Sequence, residues 1–559
     1  MYSRYFPFLL FLFGCLSLWV APPVSPSEST ILLKEVHENL RSHIELGRIS
    51  PALENKEIYS MDSLFRFYEK RQYKALWIED KRVKPEVKEL VELIKDAEND
   101  GLNPYEYHLT ALDKLINRIS GNQSNQSFEQ ISPVILAELD ILLTDAFLKL
   151  GSHYLNGRVA PETFGSGWHT QKENGDVIKS LESILKFGNL TYFMKKLAPP
   201  HKEYARLKKA LKKYRAIRAQ GGWPYIDPGK TLKLGLKNSQ VELLRRRLHI
   251  SEDLKVKHQG EDFFDTDTET AVKHFQRRHG YYPDGVVGEK TFKGLNTSVE
   301  KRIRQVELNL ERWRWLPHDL GERHIRVNIA AFHLQVVEKN HIVMQMRVVV
   351  GKPYTETPVF SELMTYLVLN PSWHIPHTIA VQRILPEIKK NPSYLKKENI
   401  TVLSGWNPDS FEVDATTIDW SKITAKNFTF HLKQEPGTDN TLGRIKFMFP
   451  NDYNIYLHDT PTKELFNETI RSFSAGCIRI EHPLELAEYL LSHYKNIDKF
   501  FLLERIALHK EESIHLPNPI PIHILYFTAW VDTDDIVQFR NDIYRRDITL
   551  ENFLSLPQL

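Results

Sequence analysis

The segment RSFSAGCIRIEH (471–482) contains Cys477, and the only other cysteine of the 559-residue chain is Cys15. A thiol acts as a nucleophile only as the thiolate, so it needs a nearby base or a positive field. His458 stands nineteen residues upstream, in IYLHDT, on a predicted strand whose end can reach the cysteine. On the residues alone, a Cys–His hydrolase or transferase and an inert buried thiol both remain open.

Several neighbours extend this candidate site. Asp459 offers a carboxylate or a backbone carbonyl that fixes the imidazole tautomer. Gly476 leaves room for a substrate, and the Gly476 and Cys477 amides are expected to form an oxyanion hole. Arg479 shares the strand face of Cys477 and would favour the thiolate or bind a substrate carboxylate. Metal binding is disfavoured, because one cysteine with scattered histidines lacks ligand spacing.

The N-terminal residues 1–27 predict export. The apolar run YFPFLLFLFGCLSLWVA follows Arg4 and precedes PPVSPSEST, a layout typical of a secretory signal peptide. An uncleaved membrane anchor is the alternative, and a lipoprotein signal is disfavoured because apolar residues continue past Cys15. If the signal is cleaved, Cys477 is the only thiol, which excludes an intramolecular disulfide.

Length and composition predict two to four domains in a soluble globular protein, with 42% hydrophobic and 26% charged residues. The net charge of +3 gives no support for nucleic-acid binding. In residues 28–225 the apolar residues recur at helical spacing, and no catalytic constellation is present. The pattern of residues 299–317 predicts a connecting helix. From 322 to 510 the pattern alternates like strands, and 511–559 is expected to pack on that β-rich domain. An insertion at 375–430 is too long for a simple connection, which favours a functional role.

Residues 232–297 contain AVKHFQRRHG and DGVVGEKT. This pattern resembles the three-helix peptidoglycan-binding domain of cell-wall enzymes. The resemblance implies that these residues contact a glycan strand. A helical spacer that no longer binds glycan is the alternative.

The segments HDTP and RSFSAGCIRI resemble the signature of YkuD-type L,D-transpeptidases. The segments NPSWHIP, QEPGTDNTLGRIKFMFPN and YFTAWVDTDDIVQFRNDIYRRD are similar to the long, multidomain YcbB-like branch. The resemblance implies a multidomain α+β protein with a helical scaffold domain, a peptidoglycan-binding module and a β-rich YkuD-type domain with a helical lid insertion. Many members carry histidine two residues before the cysteine. Ala475 occupies that position here, which leaves the proton transfer to His458 alone.

This resemblance implies a specific reaction on peptidoglycan stem peptides, as donor and as acceptor. Cys477 would attack the third residue of a tetrapeptide stem, and His458 would return the thiol proton to the departing D-alanine. The side-chain amine of a second stem would then resolve the thioester into a 3→3 cross-link. Water as acceptor would give L,D-carboxypeptidase activity instead. The resemblance also implies carbapenem acylation of Cys477, no cofactor, and a periplasmic location, with inner-membrane attachment if the N-terminus stays uncleaved.

Further site residues follow from the motif. Ser474, Gly476 and Arg479 match it and are expected to shape the oxyanion and carboxylate side of the site. Tyr456 shares a predicted strand face with His458, and Trp373 matches an aromatic residue of the YcbB-like site. The rival functions are a cell-wall cysteine peptidase, disfavoured because histidine precedes cysteine, a transferase that anchors a lipoprotein to the wall, and a non-catalytic peptidoglycan-binding scaffold.

Overall fold

The computed structural model describes residues 28–47, 52–53, 56–59, 61–79, 82–123, 132–164, 167–169, 177–255, 261–494 and 496–555. The predicted signal segment and Cys15 lie outside these residues. None of the helices in the described ranges has the length and apolar character needed to cross a membrane. The chain divides into two compact units, Met1–Val91 with His108–Phe147, and Glu92–Tyr107 with Leu148–Leu559.

The first part of the chain is mainly helical, as its apolar spacing predicts. Its helices are α1 (Glu28–Gly47), α2 (Met61–Lys70), α3 (Glu86–Asp96), α4 (Leu109–Gln123), α5 (Pro133–Asn156), α6 (Val177–Phe187), α7 (Leu190–Leu197) and α8 (Lys202–Ala219). Five short strands accompany them: β1 (Ala52–Leu53), β2 (Lys56–Glu57), β3 (Ile78–Glu79), β4 (Arg82–Val83) and β5 (Trp168–His169).

In the first unit, a buried carboxylate fastens the segment after α2 to α5. Asp140 accepts the Leu76 N–H at 3.0 Å, the Trp77 N–H at 2.7 Å and the Tyr68 hydroxyl at 2.5 Å. Buried polar groups persist when they are fully bonded in this way. The buried Asp140 carboxylate and its donors therefore have a structural role.

The next segment forms a three-helix module with its own core. Its helices are α9 (Ser239–Ile250), α10 (Thr266–Arg278) and α11 (Glu289–Leu295). Asn238 and Asp265 cap the first two helices through backbone N–H groups, each at 2.8 Å. The apolar faces predicted from the sequence are buried in one cluster, which includes Val241, Leu244, Leu248, Val272 and Phe275.

Helix α12 (Val299–Arg314) follows, where a connecting helix is expected. Ser298 caps its start, and the helix ends before Pro317. Leu308 lies in the core of the β-rich domain, whereas Val306 and Leu310 lie in a second cluster with α8 and a C-terminal hairpin. The helix is therefore a buried packing element within the second unit.

The β-rich domain and its insertion contain the remaining elements. The strands are β6 (Arg323–Asn328), β7 (His333–Glu338), β8 (His341–Gly351), β9 (Val359–Leu369), β10 (Trp373–His374), β11 (Ile400–Leu403), β12 (His431–Gln434), β13 (Ile445–Met448), β14 (Leu457–His458), β15 (Ser472–Ser474), β16 (Ile478–Ile480), β17 (Glu512–Leu525), β18 (Ala529–Val531) and β19 (Val537–Phe539). The helices are α13 (His377–Ile379), α14 (Leu385–Lys390), α15 (Tyr394–Lys397), α16 (Pro483–Leu491), α17 (Lys499–Ala507) and α18 (Arg546–Ser555).

The main sheet runs in the order β13-β14-β16-β8-β7-β6-β17-β9, and a further pairing of β13 with β9 closes it. Strand β5 adds to β9, and β15 pairs with β8. Closure leaves the central strands without free edges and fixes their register. The strands β13, β14 and β16 that carry the candidate site are therefore held from both sides.

The insertion between β9 and β13 has its own sheet, in the order β10-β12-β11, and its own apolar core. Besides the expected helices, it contains a π-helical turn at Ala380–Ile384. Trp373 on β10 pairs with Gln434 on β12, which brings the two ends of the insertion together. The insertion is thus a small subdomain attached through adjacent strands.

Candidate active site

The candidate base lies at the end of β14, and the candidate nucleophile directly precedes the neighbouring strand β16. β14 and β16 are parallel, with Leu457 opposite Ile478 and His458 opposite Arg479. Leu457 and Ile478 are fully buried in the sheet core, so the residues that alternate with them project from the other side. We call that side the cysteine face; it carries Tyr456, His458, Cys477 and Arg479.

The imidazole of His458 is neutral and has a fixed tautomer. Its Nδ1–H donates to the carbonyl oxygen of Asp459 at 2.5 Å, which leaves the Nε2 lone pair to accept a proton. Burial, and next the positive charge of Arg479, lowers the pKa of His458 to about 3. Of the two roles considered for Asp459, its backbone carbonyl therefore contacts the imidazole.

The Asp459 carboxylate has a separate role in holding this segment. It accepts the Arg444 N–H at 2.9 Å and the Lys463 ammonium at 2.5 Å. Gly443 packs directly against it with a left-handed φ of +64°. A Cβ at Gly443 would overlap the carboxyl group of Asp459, so only glycine permits this approach.

Cys477 is partly exposed and its thiol is protonated at neutral pH. The Sγ–H donates to the Asn454 carbonyl at 3.6 Å. Burial raises the pKa of Cys477, and the backbone N–H and hydroxyl of Tyr456 oppose that shift. Across the described ranges, Sγ makes no hydrogen bond to His458; catalytic pairs are often this loose before substrate binds.

Tyr456 interacts with both the thiol and the imidazole. Its ring lies 5.7 Å from the His458 ring in an edge-to-face arrangement. Burial, and next the neighbouring Cys477, raises the pKa of Tyr456, so the phenol keeps its proton and can donate it in a hydrogen bond. The Lys446 Nζ lies 3.9 Å from the centre of the same ring.

Lys446 did not emerge from the sequence pattern, although one signal was available. It is the only charged residue inside the strand-like run IKFMF, where an alternating position places it opposite His458. A charged residue in a short buried strand indicates a functional or ion-paired site. The signal was weak because the strand partners are distant in sequence.

Arg479 is fastened at one end only. Its Nη1 donates to the Thr462 hydroxyl at 3.1 Å, while its buried Nε has no partner among the described side chains and backbone groups. Burial, and next the charge of Arg383 in the insertion, lowers the pKa of Arg479. The insertion therefore contributes positive potential to the cysteine face.

The turn before Cys477 is closed by Ser474 and Thr357. The Ser474 hydroxyl donates to the Cys477 carbonyl at 2.5 Å and accepts the Gly476 N–H at 3.1 Å. Thr357 donates to the Gly476 carbonyl at 2.7 Å, and Gly476 has a φ of +127°. The Gly476 N–H, which is expected to contribute to an oxyanion hole, donates to the Ser474 hydroxyl in this structure. The Cys477 N–H makes no hydrogen bond to the described residues and stays available.

The remaining candidate residues lie apart from this pairing. Trp373 is partly buried against the core of the insertion, and the strand register does not bring it to the cysteine face. Ala475 is exposed and borders a cavity of about 680 Å³ that also touches Gly476. No group of three metal-binding side chains occurs within the ranges that the structure describes.

Comparison with known families agrees with this architecture. Residues 322–499 match the YkuD profile, described as "L,D-transpeptidase catalytic domain". The chain carries a YkuD-type L,D-transpeptidase domain. In addition, residues 237–295 match the "Putative peptidoglycan binding domain" and residues 62–211 match a "Scaffold domain". The predicted combination of helical scaffold, peptidoglycan-binding module and β-rich YkuD domain is confirmed.

A curated relative supports the same assignment. A "Putative L,D-transpeptidase" of Haemophilus influenzae is 34% identical over 256 residues, which are 45% of this chain. The chain spans about half the length of that relative, 50%.

Two solved structures show distant likenesses. An L,D-transpeptidase from Xylanimonas cellulosilytica is 12% identical, with a TM-score of 0.16, and the match covers 53% of this chain and 98% of that one. The Ldtfm-avibactam carbamoyl enzyme is 12% identical, with a TM-score of 0.15, and the match covers 57% and 98%. TM-scores this low do not establish a shared fold.

Proposed function

We propose that this protein is a peptidoglycan L,D-transpeptidase that forms 3→3 cross-links through a thioester on Cys477. The observation that carries the proposal is the parallel pairing of β14 with β16 inside the YkuD-type domain. Through this pairing His458 and Cys477 share one face, which also carries Tyr456. The peptidoglycan-binding domain in the same chain supports a cell-wall substrate.

Acylation begins with Cys477 and a tetrapeptide donor stem. The Sγ attacks the carbonyl carbon of the third residue while the His458 Nε2 accepts the thiol proton. The Cys477 N–H faces the developing oxyanion, which a preorganised donor stabilises. The C–N bond to D-alanine then breaks, the imidazolium protonates the departing amine, and a thioester remains.

Deacylation uses a second stem as acceptor. Its side-chain amine attacks the thioester carbon, His458 accepts a proton from that nitrogen, and the C–S bond breaks to restore the thiol. The insertion at residues 375–430 acts as a lid that excludes water, which otherwise would compete as acceptor. With water as acceptor, the same site would be an L,D-carboxypeptidase.

The wider assignment follows from the substrate. Peptidoglycan is extracytoplasmic, so a cell-wall transpeptidase domain implies that this protein acts outside the cytoplasm, and we assign it to the periplasm. The module around residues 237–295 would hold the glycan strand. Because the reaction passes through an acyl-enzyme, carbapenems are expected to acylate Cys477.

A product assay with purified disaccharide-tetrapeptide tests this function. Mass spectrometry should show loss of D-alanine and formation of a cross-linked dimer with the wild-type chain. Cys477→Ala removes the nucleophile and should bring both products below detection, since nucleophile removal typically costs several orders of magnitude. Ser472→Ala is the matched control, because it removes a hydroxyl from the neighbouring strand β15 and leaves Cys477 in place.

The outcomes separate the rival functions. Activity in folded Cys477→Ala would contradict the cysteine mechanism. D-alanine release without dimer would assign water as acceptor and favour the carboxypeptidase. A folded wild-type chain that binds peptidoglycan but releases no D-alanine would support the non-catalytic scaffold.

A further inference from the structure

Lys446 lies on the cysteine face and has no acidic partner among the described residues. It stands opposite His458 in the antiparallel pairing of β13 with β14. Its neighbours Ile445 and Phe447 are buried in the sheet core, so Lys446 projects from the side that carries Cys477. The strand register thus forms one row across the sheet, from Lys446 through His458 to Arg479.

The surroundings of Lys446 are unusual for a lysine. The side chain is half-buried, and its ammonium lies 3.9 Å from the centre of the Tyr456 ring. It forms no ion pair with any carboxylate that the structure describes, although Glu511 acts on it from a greater distance. Removing a cation from water without a counter-charge costs free energy, so such a position indicates a role.

The other groups around Cys477 show how the positive charge of Lys446 could act on the thiol. Arg479 on the same strand is already bonded to the Thr462 hydroxyl. On the neighbouring strand, His458 is neutral and Tyr456 presents its N–H and hydroxyl to the thiol. Lys446 is therefore the cation that lies over the ring of the tyrosine that interacts with the Cys477 thiol.

We propose that Lys446 is a positioning residue that holds Tyr456 against Cys477 and favours the thiolate during attack. A cation over the ring face attracts the π-electrons, which makes the phenol a stronger donor toward the sulfur. The ammonium also adds a positive field in a site partly shielded from water. The inference rests on the proposed function only in taking Cys477 as the nucleophile.

Another role for the same residue is direct binding of a substrate carboxylate. That role would act only when the anionic substrate is present. The positioning role acts on the free protein and on a neutral reagent. A measurement without substrate therefore distinguishes the two roles.

The test is alkylation of the full chain by neutral iodoacetamide as a function of pH, followed by intact mass. The chain carries Cys15→Ser, so that Cys477 is the only thiol. Lys446→Met should move the profile upward by about one pH unit and slow alkylation about tenfold below the midpoint, as loss of a nearby opposite charge does. Lys446→Arg should keep the wild-type profile, and the exposed Lys499→Met is the control that should not change it.

Tyr456→Phe is a second test variant, and its result does not depend on whether the Lys446 variants fold. It should also slow alkylation, and combining it with Lys446→Met should give less than the sum of the two effects on the logarithm of the rate. Full additivity would overturn the route through Tyr456.

Other outcomes also decide the matter. A Lys446→Met profile that superimposes on wild type would overturn the proposal, and so would Lys446→Arg behaving like Lys446→Met. A raised KM for tetrapeptide with unchanged alkylation would assign Lys446 to substrate binding and overturn the positioning role. Failure of the proposed function is visible separately, in the products that the wild-type chain and Cys477→Ala form from disaccharide-tetrapeptide.

Discussion

Cys477 and His458 are both uncharged in the free protein. Burial raises the pKa of the thiol and lowers that of the imidazole to about 3. A thiolate–imidazolium pair is therefore not the resting state. Ala475, two residues before Cys477, is exposed and adds no titratable group.

A pH profile of alkylation checks this resting state. With Cys15→Ser, iodoacetamide should modify Cys477 with a rate that rises about tenfold for each pH unit between about pH 7 and 9, because the thiolate fraction rises with pH. Intact mass at timed intervals measures the rate, and N-acetylcysteine supplies the reference profile. A rate that is already constant below about pH 7 would show a preformed ion pair instead.

At the scale of secondary-structure elements, two very short strands position the residues of the candidate site. β14 contains two residues and β16 contains three, yet closure of the sheet leaves their register no freedom. The segments that flank the strands then fix the imidazole, because the carbonyl of Asp459 holds Nδ1 and Gly443 packs against the Asp459 side chain. The orientation of the His458 imidazole therefore depends on contacts made by segments that lie outside the strands.

Gly443→Ala tests that dependence. The left-handed backbone would cost the alanine about 1–2 kcal/mol, and its Cβ would push Asp459 away from the position that orients His458. We expect D-alanine release to fall about 10–100-fold, as small misplacements of catalytic groups do. The product assay and thermal unfolding measure the two effects.

The control for this change lies in the same loop. Gly437 has open space where a Cβ would lie and no left-handed φ, so Gly437→Ala should keep both activity and stability. Wild-type turnover in folded Gly443→Ala would contradict the role given to the Asp459 segment.

At the scale of the whole molecule, the three-helix module and the β-rich domain have separate apolar cores. One apolar cluster fills the three-helix module and another fills the β-rich domain. Inside the module, Arg278 Nε donates to the buried Asp253 carboxylate at 2.6 Å. Burial alone would raise the pKa of Asp253, but Arg278 and its other donors lower that pKa to about 2.

Arg278→Met should separate the two functions. It leaves Asp253 buried and unpaired, which typically costs about 3–5 kcal/mol, so the module should lose structure and the chain should stop co-sedimenting with peptidoglycan sacculi. Release of D-alanine from soluble disaccharide-tetrapeptide should persist within about twofold, because the catalytic core is distinct. The exposed Arg277→Met is the matched control and should retain both properties.

The Arg278–Asp253 pair also predicts that the stability of the module depends on pH. A carboxylate whose pKa is lower in the folded than in the unfolded state stabilises the fold at pH values above its unfolded-state pKa. For Asp253 that contribution is lost as pH falls from about 4 to about 2. Unchanged sacculus binding by Arg278→Met would contradict the assignment of binding to this module.

The sequence predicted the chemistry and determined the order of the parts. Helical spacing identified the N-terminal region and the module, alternation identified the β-rich domain, and the residues around Cys477 and His458 identified the family. These features are local, since propensity, periodicity and motifs are encoded within short windows. The insertion was located from its length, but its three-stranded sheet was missed because its strands are two to four residues long.

Tertiary structure alone decided which side chains meet. Lys446 joins Tyr456 only because β13 pairs with β14, and the Gly476 N–H donates to Ser474 only because the turn folds Ser474 onto it. Burial, rather than residue type, sets the neutral states of Cys477 and His458. Such contacts depend on strand register and desolvation, which arise when distant segments close into one sheet and which no short window of sequence contains.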